Sequence, residues 1–576
     1  MRAFWPRCGL KTTGTGPAII PDLPILAWRS VALIAVLSVL SVLANFDIAG
    51  MLLGRQDFPL LGLELILVAL VIFSPFAPTR PIMFGNRTLI LKTIAMVAVC
   101  WWGHRAVLFG FDHARDEQMA VFDSIVFAHG RLVWPLPPAW QEHADALNLR
   151  FMLPVTRPEA WISAYLPGNA MLRAVVGKFA DPALTGPLLS ALALYAVWRC
   201  ARLLWPEDRE AASIAVLTLA LSGQVVLTGM TAFAMPAHLA ANLLWLWLFL
   251  KRGRATDLAA LIVGFLATGL HQPLPHPMFV APFFLLMLAE KQWARLAVFT
   301  VGYGAIMAFW MIWPHLMIGL VAGPHSIVAS GTGYTDRLGD MLASNYRAIP
   351  VMAANLLRFA TWQWLGFIPL LLAGFRATRH HRMAQALAGG ILLTVAVMTV
   401  ILASQGYGFG YRYLHGLLGN AALLSGYGWR ALAGERDRLR PFIWRGATMS
   451  LLLQLPVQMY LAHQQYGAYA EAEASIAASG TDYVLVDQQH APFLGDLALN
   501  QPDLSNRPIR LIASSFADLE RIARFVCANH ASIAVPHGGI YAGINRLYRV
   551  DPGPMNAIDQ RSRSVFAAAG CRVAAP

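Results

Sequence analysis

Residues 91–123 read LKTIAMVAVCWWGHRAVLFGFDHARDEQMAVFD. The run Leu91–Phe109 keeps its few charges near its ends, and as a helix it is long enough to cross a hydrocarbon core of about 30 Å. Gly110 breaks the run, and Asp112, Asp116, Glu117 and Asp123 follow at once. If the chain is helical from Asp116 onward, Asp112, Asp116 and Asp123 fall on nearly one face, because steps of four and seven return to the same angle. Carboxylates crowded beside a low-dielectric slab repel one another. That raises at least one pKa and suits a group that must take a proton from an alcohol. The same acids would also serve as a plain helix N-terminus, where Asp and Glu are favoured by the dipole.

The apolar pattern of this stretch recurs along the chain. Of 576 residues, 57% are hydrophobic and 13% charged, with mean hydropathy +0.53, too apolar for a soluble globular protein of this size. Nearly uncharged stretches of roughly 18–22 residues favour helical spans over a barrel's short alternating segments. The segmentation gives about thirteen spans. They are Arg29–Asn45, Pro59–Phe76, Leu91–Phe109, Leu184–Leu204, Ala211–Met230, Pro236–Leu250, Leu258–Leu270, Met278–Ala289, Ala294–Leu316, Leu356–Phe375, Met383–Ala403, Tyr413–Ala433 and Phe442–Ala462.

The net charge of +13 follows this topology. With a cytoplasmic N-terminus, every inner loop is basic, from Arg2, Arg7 and Lys11 through Arg80 and Arg87 to Arg436, Arg438, Arg440 and Arg445. The short outer loops Thr231–Ala234 and His271–His276 carry no Lys or Arg, as the positive-inside rule requires. No nucleic-acid partner is needed to explain the charge. No cleavable signal peptide is evident, so the first helix is expected to act as its own insertion signal. The location expected is a bacterial inner membrane, with the C-terminus periplasmic. Cys527 and Cys571 fall in the outer tail, where they form a candidate disulfide or stay as two free thiols.

Three irregular regions lie on the outer side: a loop from residue 110 to 182, a second from Ile318 to Asn355 containing Ser330–Thr335, and the tail. In the tail, Tyr483–Val486 and Ile509–Ile512 read as strands and Phe516–Cys527 as an amphipathic helix. The expected fold is an all-α polytopic membrane protein with a small α/β extracytoplasmic C-terminal domain. Its divisions are residues 1–90 with two additional spans, 91–463 as the catalytic membrane region, and 464–576. Within the spans Glu64 is the main ionisable residue, whereas ion-coupled transporters place buried carboxylates or broken helices near the midplane.

A span that ends outside in an Asp-Glu pair, followed by a long loop, resembles the GT-C class of polyprenyl-phosphate-sugar-dependent glycosyltransferases, which includes protein O-mannosyltransferases and the lipid A aminoarabinose transferase. Trp161-Ile162-Ser163-Ala164-Tyr165-Leu166-Pro167-Gly168 is similar to the Tyr-Pro-Pro-Gly-type segment of that loop in bacterial members. Gly406-Tyr407-Gly408-Phe409-Gly410-Tyr411-Arg412-Tyr413-Leu414 resembles their Gly-Phe-Gly-x-Arg-Tyr-Leu signature. The resemblance implies a GT-C-like fold and makes Asp116 the base, with Glu117 its neighbour. Departures are the first two spans, Met235-Pro236-Ala237-His238 where relatives often carry an acid or Arg, and the lack of a Lys-Pro-Pro segment. They leave the subfamily and the sugar open.

The reading assigns acceptor deprotonation to Asp116 and acceptor orientation to Asp112 or Glu117. Arg412 is the first candidate for the donor phosphate, since a guanidinium meets phosphate oxygens in a bidentate fashion; interfacial snorkelling is its structural alternative. Tyr411, Tyr165, His271, His276 and His238 complete the candidate substrate-binding set. His271 and His276, five apart in a Pro-broken corner, have the bare outline of a metal pair without a carboxylate or Cys beside it, so a divalent metal is not favoured and no cofactor is expected. The expected partners are a polyprenyl-phosphate-linked sugar, a lipid or glycan acceptor, and membrane lipids. The rival functions are a lipid or sugar transporter or flippase, and a lipid-linked glycan polymerase or ligase.

Overall fold

The computed structural model describes residues 23–44, 47–147, 152–328, 347–486, 492–513, 516–536, 539–549, 551 and 553–574. The run Ser330–Thr335 and the basic residues Arg2, Arg7 and Lys11 lie outside them. Helix dominates from Leu23 to Ala477. Ile25–Val42, Gly50–Phe73, Pro182–Leu204, Trp293–Val321 and Arg382–Ile401 are long and apolar enough to cross a membrane. Arg209–Ala220 and Gly223–Gly229 together make a further candidate, bent by 54°. These helices turn large apolar side chains outward, among them Val39 at 70%, Phe73 at 84% and Val301 at 74% exposure. Such a belt is an aggregation hazard in water and ordinary solvation in hydrocarbon, and backbone satisfied within each helix is what the bilayer demands. The protein is an integral membrane protein.

Other expected spans are shorter or interrupted. The span expected at Leu356–Phe375 is two helices, Ala348–Thr361 and Phe367–Ala377, separated by a turn at 362–366. There the Gln224 amide N donates to the Trp362 carbonyl at 3.1 Å and the Leu365 amide N to Ser450 Oγ at 3.1 Å, so the freed backbone groups are satisfied by neighbouring helices. The last expected span, Phe442–Ala462, is the middle of a longer helical run from Arg436 to Ala477 that contains a π-helical turn at Ser450–Gln454. Gln454 Nε2 in that turn donates to Glu64 Oε1 at 2.8 Å and to the Gln363 carbonyl at 2.7 Å. Glu64, the main ionisable residue expected in a span, is thereby partnered. The helices Phe367–Ala377 and Leu418–Ala431 meet through glycine: a Cβ on Gly374 would stand 2.0 Å from the Leu424 carbonyl oxygen, and one on Gly428 2.2 Å from that of Leu370. This is a small-residue seam that lets two backbones touch.

The bundle has two chemically different ends. At one, Arg440 grips Glu210 at 2.9 and 3.0 Å, Arg436 pairs with Asp208 at 2.6 Å, and Trp444 Nε1 donates to the Arg80 carbonyl at 3.0 Å. The helix Asn86–Ala106 leads from this end to the other, where the acidic helix Arg115–Ala128 begins. The loop beyond it carries a short antiparallel pair, β1 (Trp134–Pro135) with β2 (Ala160–Trp161).

The tail holds a parallel sheet of β3 (Tyr483–Leu485), β4 (Ile509–Leu511), β5 (Ser532–Ala534) and β6 (Arg572–Ala574), in the order β4-β3-β5-β6. The helix Phe516–Val526 crosses from β4 to β5, and Ala542–Tyr548 with Gly553–Ala568 from β5 to β6, as parallel neighbours require. Cys527 and Cys571 are joined as a disulfide, closing the open alternative from the sequence. This sheet unit is not detached. Leu485, Ile509, Leu511, Ile522, Val526 and Phe566 share one buried cluster with Met119, Phe122 and Val126 of the acidic helix.

Candidate active site

The acidic helix starts where its amides find an acceptor: Glu117 Oε2 takes the Ala114 amide proton at 2.9 Å, three residues ahead of it. Two stripes then divide the helix. Met119, Phe122 and Val126 face the tail's core, while Asp116, Ala120 and Asp123 line a cavity together with Tyr165, Asn169, Ala234 and His271. The shared face expected for Asp116 and Asp123 is observed. Asp112 does not line this cavity, and it precedes the first helical residue, outside any regular element.

Asp116 receives two partners from distant parts of the sequence. The Arg412 guanidinium forms an ion pair with its carboxylate, and the Tyr165 hydroxyl donates to it. Both members of the pair are nearly closed off, with side-chain exposures of 15% for Asp116 and 13% for Arg412. The guanidinium also lies over the Phe233 ring at 4.6 Å and donates to the Tyr407 carbonyl at 3.0 Å. The Arg412 amide N donates to Gln405 Oε1 at 2.9 Å, and Gln405 Nε2 donates to the Gly410 carbonyl at 3.0 Å. Glycine at 408 is what makes room: a Cβ there would fall 2.4 Å from Arg412 Cδ. The Tyr165 ring in turn meets the His271 ring edge-on at 3.9 Å, while the Leu166 amide N donates to the His271 carbonyl at 3.1 Å. Asp116, Arg412, Tyr165 and His271 are thus brought together.

The other candidates sit elsewhere. Glu117 is fully buried, and its Oε2 accepts from the Tyr466 hydroxyl at 3.0 Å. Burial first, and then the Asp112 charge, push its carboxyl well above the usual range; burial also raises Asp112, opposed by Arg173 and His104. These two form a second acidic pair behind the helix. Beside it His113, packed among the rings of Tyr407, Tyr466 and Tyr469, is held neutral by burial, with a pKa lowered to about 3. Tyr411 is buried, and its carbonyl accepts from Gln224 Nε2 at 2.8 Å. His276 is clasped between Asn242 Oδ1 and the Tyr303 hydroxyl, both at 2.7 Å. His238 is buried in the first turn of Met235–Leu250, close against Gly416. Neither Tyr411, His276 nor His238 lines the cavity at Asp116. His271 and His276 do not converge as a metal pair, since one faces Tyr165 and the other Tyr303.

Several contacts were not legible beforehand. Asp123 accepts from the Ser163 amide at 3.2 Å and from its hydroxyl, stapling the loop's return strand to the acidic helix. Asn169 Nδ2 holds the Ala232 carbonyl at 2.9 Å and so fixes the short uncharged outer loop that places Phe233 under Arg412. The cavity at Asp116 is only about 10 Å³. A larger one of about 580 Å³ opens between the outer loop, Val321 and the helix Phe516–Val526. On its rim Glu142 pairs with Arg157 at 2.5 Å and Asp145 with Arg521 at 2.8 Å, so its acids are occupied by surface ion pairs. The smaller cavity is lined by Asp116 and Tyr165, and Arg412 reaches the same Asp116 carboxylate.

Among solved structures, the chain is similar to ArnT from Cupriavidus metallidurans bound to undecaprenyl phosphate, with a TM-score of 0.48, 14% identity, and coverage of 73% of this chain and 86% of that one. It is also similar to the apo state of ArnT from the same organism, with a TM-score of 0.45, 13% identity, and coverage of 71% and 84%. No protein-family model matches the sequence, and no curated protein matches it.

Proposed function

We propose that this protein is an inverting glycosyltransferase that moves one sugar from a polyprenyl-phosphate donor to a hydroxyl of a lipid or glycan acceptor on the outer face of a bacterial inner membrane. One observation carries the reading: the Asp116 carboxylate, the Arg412 guanidinium and the Tyr165 hydroxyl converge from three separate segments beside one cavity.

In the proposed step the acceptor hydroxyl attacks the anomeric carbon while its proton passes to Asp116. The bond from that carbon to the phosphate oxygen breaks, and its electron pair leaves with the polyprenyl phosphate, whose charge Arg412 takes up. Direct displacement inverts the anomeric centre. Asp116 and Arg412 neutralise each other in the present conformation, and a cavity of about 10 Å³ admits no sugar. A donor phosphate competes for the same guanidinium. As it draws Arg412 away, Asp116 loses its counter-charge and becomes a better base. The reading needs no nucleotide, cofactor or catalytic metal, because leaving-group charge is assigned to Arg412.

The same proposal has about thirteen membrane crossings, the N-terminus cytoplasmic, and the tail from residue 464 outside, where a Cys527–Cys571 disulfide would be stable. The test is Asp116→Asn in proteoliposomes supplied with candidate polyprenyl-phosphate sugars. Transfer is expected to fall about 10²–10⁴-fold, the range of a lost general base. Undiminished transfer removes Asp116 as base, uptake without transfer favours a transporter, and a product lengthened by a block of sugars favours a polymerase or ligase.

A further inference from the structure

Behind the segment that carries Arg412 stands a buried ion pair between the second N-terminal span, Gly50–Phe73, and the helix Ala348–Thr361. Asp57, with no exposed surface, ends a π-helical turn at Leu53–Asp57, and its Oδ2 lies 3.0 Å from Arg358 Nε. Trp362 Nε1 donates to the other carboxylate oxygen at 2.9 Å. Arg358 then reaches the Arg412 segment directly, its Nη2 donating to the Gly408 carbonyl at 2.6 Å. One turn earlier on the same helix, Asn355 Nδ2 donates to the Ala403 carbonyl at 2.7 Å. Gly408 is also the residue over which the Arg412 side chain folds. π-turns are rare and concentrate at functional sites, and a buried charge pair often contributes a unique geometry more than stability.

We propose that Asp57 and Arg358 are positioning residues for Arg412: Asp57 orients the Arg358 guanidinium, Arg358 anchors the Gly408 carbonyl, and the anchored segment sets where Arg412 presents its charge. The second N-terminal span is thereby part of the donor-binding apparatus and not only a membrane anchor. This inference rests on the reading of Arg412 as the group that meets the donor phosphate.

The test uses the full-length protein in nanodiscs, with undecaprenyl phosphate as probe. Arg358→Lys keeps a positive charge for Asp57 but lacks the planar fork that reaches Gly408. Amide hydrogen exchange across residues 403–412 is expected to speed up by about tenfold, and affinity for the probe to fall by a similar factor, because the binding-competent segment is less populated. Wherever a donor sugar is turned over, KM for the donor should rise more than kcat falls. The double replacement Asp57→Leu with Arg358→Met leaves no orphaned charge and serves if Arg358→Lys does not fold. Unchanged exchange and affinity in a folded variant overturn the proposal, as does failure of the double variant to fold, which would make the pair a determinant of the fold alone. Faster exchange in a variant whose parent never binds the probe would keep the positioning role and remove the donor reading.

Discussion

Asp123 stands seven residues from Asp116 on the same helix face, yet its carboxylate is taken up by Ser163, and the difference is testable by pH. Burial raises its pKa from 3.8 to about 7. In the unfolded chain the group titrates near its ordinary value of about 3.9, so between that value and about 7 the folded protein holds a proton that the unfolded chain has lost. Folded stability therefore declines as pH rises through this window on account of Asp123. In Asp123→Asn that decline is absent, so the gap between the two proteins' thermal midpoints in detergent should shift in favour of the variant from pH 5 to about pH 7 and level off above it; a constant gap would refute the assignment. Asp116, Arg412 and Tyr165 were legible because each sits in a short motif whose order along the chain implied one site. The split of the acids was not. Spacing put Asp112 on the Asp116 face given a helix from Asp116 onward; the helix does begin there, at Arg115, but Asp112 lies ahead of the Ala114 cap and so does not follow the helical angle.

At the scale of elements, the acidic helix is stable only while both of its stripes are covered. Its apolar stripe is covered by the tail, and the tail is closed by Cys527–Cys571 across 44 residues. Replacing both cysteines by serine should cost the tail about 4 kcal/mol, as expected for a loop of this length. Because the core is shared, exchange protection in residues 115–128 should fall together with protection in β3–β6. If the tail loosened while the acidic helix kept its protection, the two would be separate units, contrary to the packing. Tyr483–Leu485 and Ile509–Leu511 were foreseen from their branched and aromatic residues, whereas β5 and β6, equally three residues long, each set a single β-branched residue beside alanine, which has little strand preference. The break at 362–366 was missed for a related reason. Trp362 and Trp364 keep the average apolar while Gln363 and Gly366 open the helix, and hydropathy alone is blind to hydrogen bonds supplied by neighbouring helices.

For the whole molecule, the distribution of charge along the chain and the geometry of the bundle give the same division into two ends. Arg80, Arg436 and Arg440 gather with Asp208 and Glu210 at one, and Asp116, Arg412 and the tail meet at the other. By the positive-inside rule the first end is expected to be cytosolic, and the proposed chemistry requires the second to be outside. Sidedness can be read with little background, because Cys100 and Cys200 are buried and Cys527 is paired with Cys571, which leaves only Cys8 to be replaced. In a Cys8→Ser protein, a cysteine at the exposed Leu132 should react with an impermeant maleimide in intact cells whose outer membrane has been opened. One at Gly434, where an added Cβ meets nothing within 4 Å, should react only after the inner membrane is permeabilised. The opposite pattern would put Asp116 and the disulfide in the cytosol, where thiols stay reduced. It would also set the charge rule against the structure, and an extracytoplasmic transferase could not then be sustained.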